Sequence, residues 1–380
     1  MATFRNDGHD LSLGRKLFQI NWTFVLLLTA LAAIGFAMLF SAANGKWDPW
    51  ASRQVARFSI GMALLIVVAV IDIRIWMRYA YAVYFASLAL LVAVELIGST
   101  GMGATRWIDL GVVTLQPSEL AKIGLILAMA RYFHGVSIEE IGGIVPLAWG
   151  AFLIAVPVAL VLRQPDLGTA VLMALIGATM LFLAGIRMRI FVASGIAAIA
   201  AMPVLWHFLR DYQKQRILTF FNPETDPLGA GYHILQSKIA LGSGGLFGKG
   251  FLQGTQSHLN FLPEKQTDFI FTMLAEEFGM VGGLVLIALY LLVAIYGLAI
   301  ALRSRNQFGR LVAMGVTVAF MFNVFINIAM VMGIVPVVGM PLPLISYGGS
   351  SMLTLLFAFG LLMNVYVHRD VSIGRHAGEA

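Results

Sequence analysis

Residues 261 to 271 read FLPEKQTDFIF, and within them Asp268 is the residue that invites a chemical explanation. A carboxylate beside Phe269 and Phe271, at the threshold of a long apolar segment, is costly in lipid unless it is paired or useful. Thr267 could cap the coming helix without a charge. Phe269, Ile270 and Phe271 would exclude water and raise the proton affinity of the carboxylate, as a general base requires. Thr272, Ala275 and Gly279 share its face at helical spacing and are small enough to let another helix come close. Glu276 and Glu277 lie roughly 12 Å deeper by helical rise and point elsewhere, as structural or partner-facing groups.

A second constellation is Glu119 with Lys122, three residues apart on one helical face. The pair either lowers the cost of burying each charge or leaves the lysine facing a bound anion. Arg106 and Trp107, in GATRWIDLG just upstream, offer a charge and an amphipathic ring for a membrane interface. Four apolar segments begin with polar sequence: Gln116-Pro117-Ser118-Glu119, Gln164-Pro165-Asp166, Thr267-Asp268 and Ser346-Tyr347-Gly348-Gly349-Ser350. Proline just inside a helix start is ordinary, and Ser118 and Asp166 can cap. Four such starts together place free N–H groups and positive dipole ends at one level, which suits a phosphate-bearing ligand. The ligand-facing candidates from these starts are Ser118, Glu119, Lys122, Gln164, Asp166, Ser346, Tyr347 and Ser350. Asn323 and Asn327, one turn apart, read as interhelical hydrogen-bonding residues.

The elements that must carry these residues follow from composition. The 380-residue chain is 59% hydrophobic and 12% charged, too little charge for a soluble surface. Apolar blocks near 20 residues long match the thickness of a bilayer core and are continuous, which excludes a β-barrel. The expected fold is an all-α polytopic integral membrane protein, one domain over 1–380. Its ten spans are placed at 21–41, 54–71, 76–97, 117–133, 144–162, 167–185, 190–208, 269–302, 310–334 and 346–367. Segment 1–20 carries no small-residue cleavage site, so the first span reads as a retained anchor. With both termini cytoplasmic, inner segments hold 13 Arg and Lys against 5 in the short outer loops. That orientation puts the four polar starts at the outer face.

The loop 209–268 between spans 7 and 8 then lies outside. Its Arg210, Lys214, Arg216, Lys238, Lys249 and Lys265 cannot be topological signals. They either balance the acids of the loop or bind something, and a loop this long is usually functional. YHILQSKIAL reads as an amphipathic, partly embedded helix and GSGGLFGKGF as a glycine-rich turn. There is no cysteine, hence neither disulfide nor thiolate metal site. The net charge of +6 is spread through loops and forms no run, which argues against nucleic acid.

QPSELAKI, QPDLGT, DPLGAGYHILQSKIALGSGG, GTQSHLNFLPEKQTDFIFTMLAEEFG and PLPLISYGGSS together resemble the SEDS family of bacterial cell-wall polymerases. GTQSHLNFLPE and the short N-terminal tail are more similar to its RodA-type elongation branch than to its FtsW-type division branch. The resemblance implies a peptidoglycan glycosyltransferase that joins lipid II on the outer face of the bacterial cytoplasmic (inner) membrane during elongation and rod-shape maintenance. It implies a class B penicillin-binding transpeptidase as partner, within membrane lipid, and it makes Asp268, in TDFIF, the essential aspartate. The family often has His before Thr-Asp; here Gln266 stands there, so no histidine can act as base at that position.

Forming a β-1,4 link from an α-linked polyprenyl diphosphate inverts the anomeric carbon, so one base must take the acceptor proton while cations neutralise the leaving group. One carboxylate with cations is therefore expected, in contrast to the paired carboxylates of most glycosidases. The candidate cations are Arg106, Lys122, Arg210, Arg216 and Lys238. No ligand cluster identifies a metal, though a divalent ion, Mg or Mn, could share the diphosphate charge. Two rivals from other classes remain. A lipid II flippase or transporter would need polar groups through the membrane, and the inner ends of the even spans are poor in them. A non-enzymatic scaffold for the transpeptidase would leave Asp268 without a task.

Overall fold

The computed structural model describes residues 12–101, 104–109, 114–137, 139–209, 211–222, 230–259 and 264–374. After a short helix α1 (Leu13–Gln19), seven long helices follow: α2 (Trp22–Ala42), α3 (Ala51–Val70), α4 (Ile73–Ile97), α5 (Pro117–Gly135), α6 (Ile144–Arg163), α7 (Leu167–Ala184) and α8 (Met188–Phe208). The large loop contains α9 (Asp211–Phe221), α10 (Ala230–Ser243) and α11 (Thr255–His258). The last three long helices are α12 (Ile270–Arg303), α13 (Gln307–Val331) and α14 (Gly349–Val367). Each of the ten expected spans is thus a helix. In lipid the helix is the form that pairs every backbone group within one segment.

Eight of the ten are long and apolar enough to cross a membrane; α5 and α8 are the exceptions. The charges on α5 explain its case. The helix is packed between α4, α6, α7 and α13, and every residue from Ala121 to Ala130 is buried, Lys122 included. A central helix can carry Glu119, Lys122 and Arg131 because protein, and not lipid, surrounds them. On α8 the apolar part is shorter, Met188–Val204, and Val192 to Ala200 all face outward.

Small residues set the closest packing. A side chain at Gly61 of α3 would meet Leu356 Cδ1 of α14 at 2.4 Å, and one at Gly360 would meet Val68 Cβ at 2.8 Å. Further along the same pair, Asn364 Nδ2 donates to the carbonyls of Val68 at 3.0 Å, Ala69 at 3.2 Å and Ile71, closing the end of α3.

Three features depart from the expected pattern. A small antiparallel sheet, β1 (Ser99–Gly101), β2 (Ala104–Asp109) and β3 (Thr114–Leu115), joins α4 to α5 and fixes the stretch with Arg106 and Trp107. α13 ends at Val331 and α14 begins at Gly349, so 332–348 is a long non-helical segment, threaded with Pro336, Pro341 and Pro343. Finally, α12 is broken at Gly279, whose φ of 68° and ψ of −165° belong to a region almost reserved for glycine.

At that break the glycine-rich turn supplies the missing partners. Lys249 and Gly250 N–H donate to the carbonyls of Glu276 (3.0 Å) and Glu277 (2.9 Å). Met280 and Val281 N–H donate to the carbonyls of Gly245 (2.9 Å) and Leu246 (3.1 Å). Glu276 and Glu277 are structural, as their position suggested. Glu276 Oε1 accepts from Lys249 Nζ, Thr255 N and Gln256 N at 2.8, 2.8 and 3.0 Å, and Glu277 accepts from Ser41 Oγ. The helix that approaches the small face of α12 is α10, through Ser237 Oγ and Thr272 Oγ1 at 2.8 Å.

Candidate active site

The four polar helix starts meet. A cavity of about 600 Å³ opens between the N-terminal ends of α5, α7, α12 and α14, lined there by Gln116, Glu119, Lys122, Asp166, Thr169, Thr267, Asp268, Gly348 and Ser351. β2 contributes Arg106 and Trp107, α9 contributes Arg216 and α10 contributes His233. The segment between α13 and α14 closes it with Val337 to Pro341 and with Tyr347.

Asp268 does not sit on a helix. It lies in a turn over 264–269, since α12 starts at Ile270 and no side chain caps that end. Thr267 does not cap it either: its hydroxyl donates back to Glu264, to the carbonyl at 3.2 Å and Oε2 at 3.1 Å. The turn is held from outside by α13 and the non-helical segment that follows it. Asn327 Nδ2 donates to the Asp268 carbonyl at 3.0 Å and to that of Met340 at 2.6 Å. Ser346 Oγ donates to the Thr267 carbonyl, and Tyr347 N–H donates to that of Gln266 at 2.8 Å. Gly339, with φ of 74°, passes over the carboxylate so closely that a Cβ there would lie 3.4 Å from Asp268 Oδ2.

Phe269, Ile270 and Phe271 are buried behind it. Burial pushes the Asp268 carboxyl up to about 6, and the negative charge of Glu264 adds to the rise, against the opposing pull of Arg216 and Arg106. The carboxylate is therefore more basic than an ordinary aspartate yet still ionised at neutral pH.

The cations are less free than charge counting suggests. Lys122 Nζ lies 2.9 Å from Glu119 Oε1, and Arg106 Nε lies 3.4 Å from Asp166 Oδ2, so each brings its own carboxylate into the cavity. Asp166 also caps α7, accepting from Thr169 N at 3.3 Å and Thr169 Oγ1 at 2.8 Å. Arg216 reaches the wall opposite, donating to the Val337 carbonyl at 3.4 Å.

Several expected ligand-facing residues do other work. Gln164 ends α6 and donates to the Leu91 carbonyl at 2.8 Å; it does not open α7. Ser118 is buried within the first turn of α5 without capping it, because Pro117 and Gln116 form that end. Ser346 is a brace for the Asp268 turn. Ser350 is buried in α14 away from the cavity wall, and Lys238 is exposed on the far side of α10, beside Gly333. Tyr347 does line the cavity, with the Arg57 guanidinium 4.8 Å above its ring. Arg210 lies outside the described residues.

Composition gave no warning of His233 or Gly339 in the cavity wall. His233 sits in the cavity wall with its ring 6.4 Å from that of Phe269. Asn323 lines the cavity and donates within its own helix, to Ala319 O at 2.8 Å, and Asn327 donates to the Asp268 turn and to the non-helical segment, where helix-to-helix bonds were expected of both. The presence of three prolines and a glycine in an apolar stretch was the available signal for the segment over Asp268.

An apolar groove of about 420 Å³ continues from the cavity between α7, α9 and α13, sharing Arg106, Asp166, Arg216, Val337, Val338 and Met340 with it. Among the described residues no group of three or more His, Asp or Glu side chains converges as a metal site.

Residues 20–371 match the cell cycle protein family FtsW/RodA/SpoVE. The chain is 46% identical to the peptidoglycan glycosyltransferase MrdB of Escherichia coli (strain K12), over 92% of this chain and 94% of that one. It is 37% identical to a probable peptidoglycan glycosyltransferase FtsW of Trichlorobacter lovleyi, over 92% and 94%. Among solved structures it resembles the rod shape determining protein RodA of Thermus thermophilus, with a TM-score of 0.71, 31% identity and coverage of 93% and 98%. It also resembles a chain described under structural coordination of polymerization and crosslinking by a peptidoglycan synthase complex, with a TM-score of 0.80, 33% identity and coverage of 92% and 98%.

Proposed function

The chain belongs to the FtsW/RodA/SpoVE family and is a membrane-embedded peptidoglycan glycosyltransferase, and from that premise we propose that it polymerises lipid II with Asp268 as the general base. The observation that carries the reading is the setting of Asp268: a carboxylate of raised basicity, fixed by its backbone and facing a cavity with Arg106, Lys122 and Arg216. Asp268 takes the proton from the acceptor 4-hydroxyl as its oxygen attacks the anomeric carbon, and the bond to the diphosphate breaks with inversion. Arg216 and Arg106 stand where the cavity meets the apolar groove, so a diphosphate between them would leave its polyprenyl tail in the groove. Glu119 holds Lys122 in position at the cavity wall. A Mg or Mn ion, if used, would be held largely by the diphosphate itself.

The positive-inside count supports a site on the outer face of the bacterial inner membrane with both termini in the cytoplasm. The partner is a class B penicillin-binding transpeptidase, a reading supported by likeness to a chain of a complex that couples polymerization to crosslinking. Elongation is the process, supported by the higher identity to MrdB than to FtsW.

A transporter reading finds polar cavities at both ends of the bundle, but among the described residues a buried apolar layer separates them. The middle is filled by Ile126 and Met129 of α5, Met173, Ile176 and Met180 of α7, and Val312 and Val316 of α13, all buried. A Cβ at Gly315 would lie 2.7 Å from both Ile126 and Met180, which shows how closed that layer is. The test is polymerisation of lipid II by the purified protein with and without the transpeptidase, read as product length on a gel. Asp268→Asn should lower the rate at least about 100-fold with partner binding intact. Long strands made at near wild-type rate would refute the assignment.

A further inference from the structure

α5, α7 and α13 run from the active-site cavity to a second chamber at the other end of the bundle. It has a volume of about 510 Å³, within the range of ligand sites, and is reached by His134 at the end of α5 and Gly185 at the end of α7. Arg305, Gln307 and Arg310 come from the start of α13. Its fourth wall is the chain after α14, strapped across by two bonds: Asn306 Nδ2 to the Val371 carbonyl at 3.2 Å and His134 Nε2 with the Gly374 carbonyl at 3.2 Å.

Among the described residues no carboxylate lines this chamber. Asp370 is the countercharge paired with Arg305. It sits 3.7 Å from Arg305 Nε and 3.7 Å from Arg369 Nε, but its side chain is 73% exposed, as is that of Arg305. An exposed pair of that length is weak and exchangeable. Arg310 is held by the Ser304 carbonyl at 3.3 Å. The N–H of Gly309 is taken by Asn306 Oδ1, so the N–H groups of Gln307 and Phe308 remain at the open end of a 25-residue helix. A topological role for the arginines needs only their number in the sequence. It does not account for a roomy chamber in which two guanidinium forks, a helix start and a buried histidine converge with no acid among the described residues.

We propose that this chamber is a binding site for a phosphate group, with Arg305 and Arg310 as its forks, and that the phosphate is the headgroup of an anionic membrane lipid. Beside its lining residues, Phe182 of α7 and Leu302 of α12 face outward, so acyl chains could remain along the bundle while the phosphodiester enters. Ligand there would tie the chain after α14 to the ends of α5 and α7, the two helices that place Lys122 and Asp166 at the other end.

The full-length protein in detergent is titrated with short-chain phosphatidylglycerol, with phosphatidylcholine and with inorganic phosphate at matched ionic strength. Thermal unfolding is followed, and retained lipid is counted by native mass spectrometry. Phosphatidylglycerol should raise Tm saturably with one lipid retained, and phosphatidylcholine should not. Arg305→Gln with Arg310→Gln should weaken that binding at least tenfold while polymerisation stays within twofold of wild type. Each single substitution, which leaves one fork, should weaken it by less. Saturation by inorganic phosphate at equal affinity would keep the phosphate site and assign it to a soluble ligand. Equal responses to both lipids, or an unchanged response in the double variant, would overturn the proposal.

Discussion

Asp268→Asn should make the protein more stable as well as inactive. The carboxyl titrates near 6 in the folded chain against an ordinary 3.8, a rise of roughly 2 units, or about 3 kcal/mol in favour of the neutral form. Because the folded value is raised, the ionised form burdens the folded state. The burden is absent below pH 4, where the group is protonated in both states, grows between about 4 and 6, and is complete above about 7. Some of it is relieved by solvent, since the side chain is only half-buried, so a gain of about 1–3 kcal/mol is expected for the amide at pH 8. In detergent that is a Tm increase of a few degrees. Thermal scans of both proteins from pH 8 to pH 4.5 should show the gap closing as pH falls. An asparagine variant less stable than wild type at pH 8, or a gap that ignores pH, would refute the idea that the site holds a charge at the expense of stability.

Wild-type polymerisation should rise with pH through about 6 and drop roughly tenfold per unit below it, with Glu264→Gln moving that limb to lower pH and Arg216→Gln moving it to higher pH; parallel pH–rate profiles decide. Lys122→Met should weaken lipid II use, and adding Glu119→Gln should not restore it; recovery in the double variant would mean that the pair serves folding alone. Gly279→Ala should cost on the order of 3 kcal/mol or abolish assembly, since its Cβ would lie 2.4 Å from Gly248 N at a backbone angle alanine disfavours; unfolding in detergent measures it. Cysteine placed at the exposed Gln253 should react with an impermeant maleimide from outside intact cells, and cysteine at Arg187 should not.

Eight of the ten helices could be read directly because each is a self-contained pattern set by apolar length, while α5 and α8 were legible from their apolar blocks although charges or a shorter apolar run interrupt them. Asp268, Glu119 with Lys122, and the four polar helix starts were equally open to reading, since a charge at an apolar boundary stands out locally. What could not be read was who partners whom. Arg106 appears in the sequence as a cation for a ligand, and only the fold sets it against Asp166. Gln164 looks like the first residue of α7 and is the last cap of α6, because α7 starts two residues later than proline suggests. Lys238 and Arg216 are indistinguishable by composition, yet one faces outward and the other the cavity. The segment from Val337 to Pro341 is apolar, and nothing in apolarity says that it will fold back over a carboxylate.

The break in α12 bears on the order in which the protein is made. Two carbonyls and two N–H groups at Glu276, Glu277, Met280 and Val281 depend on residues 245 to 250. Left bare in hydrocarbon, each would cost several kcal/mol. Residues 245 to 250 are synthesised before α12, so on the orientation proposed above the turn has already crossed the membrane when the broken helix arrives. The interruption is thus met by partners that precede it in the chain.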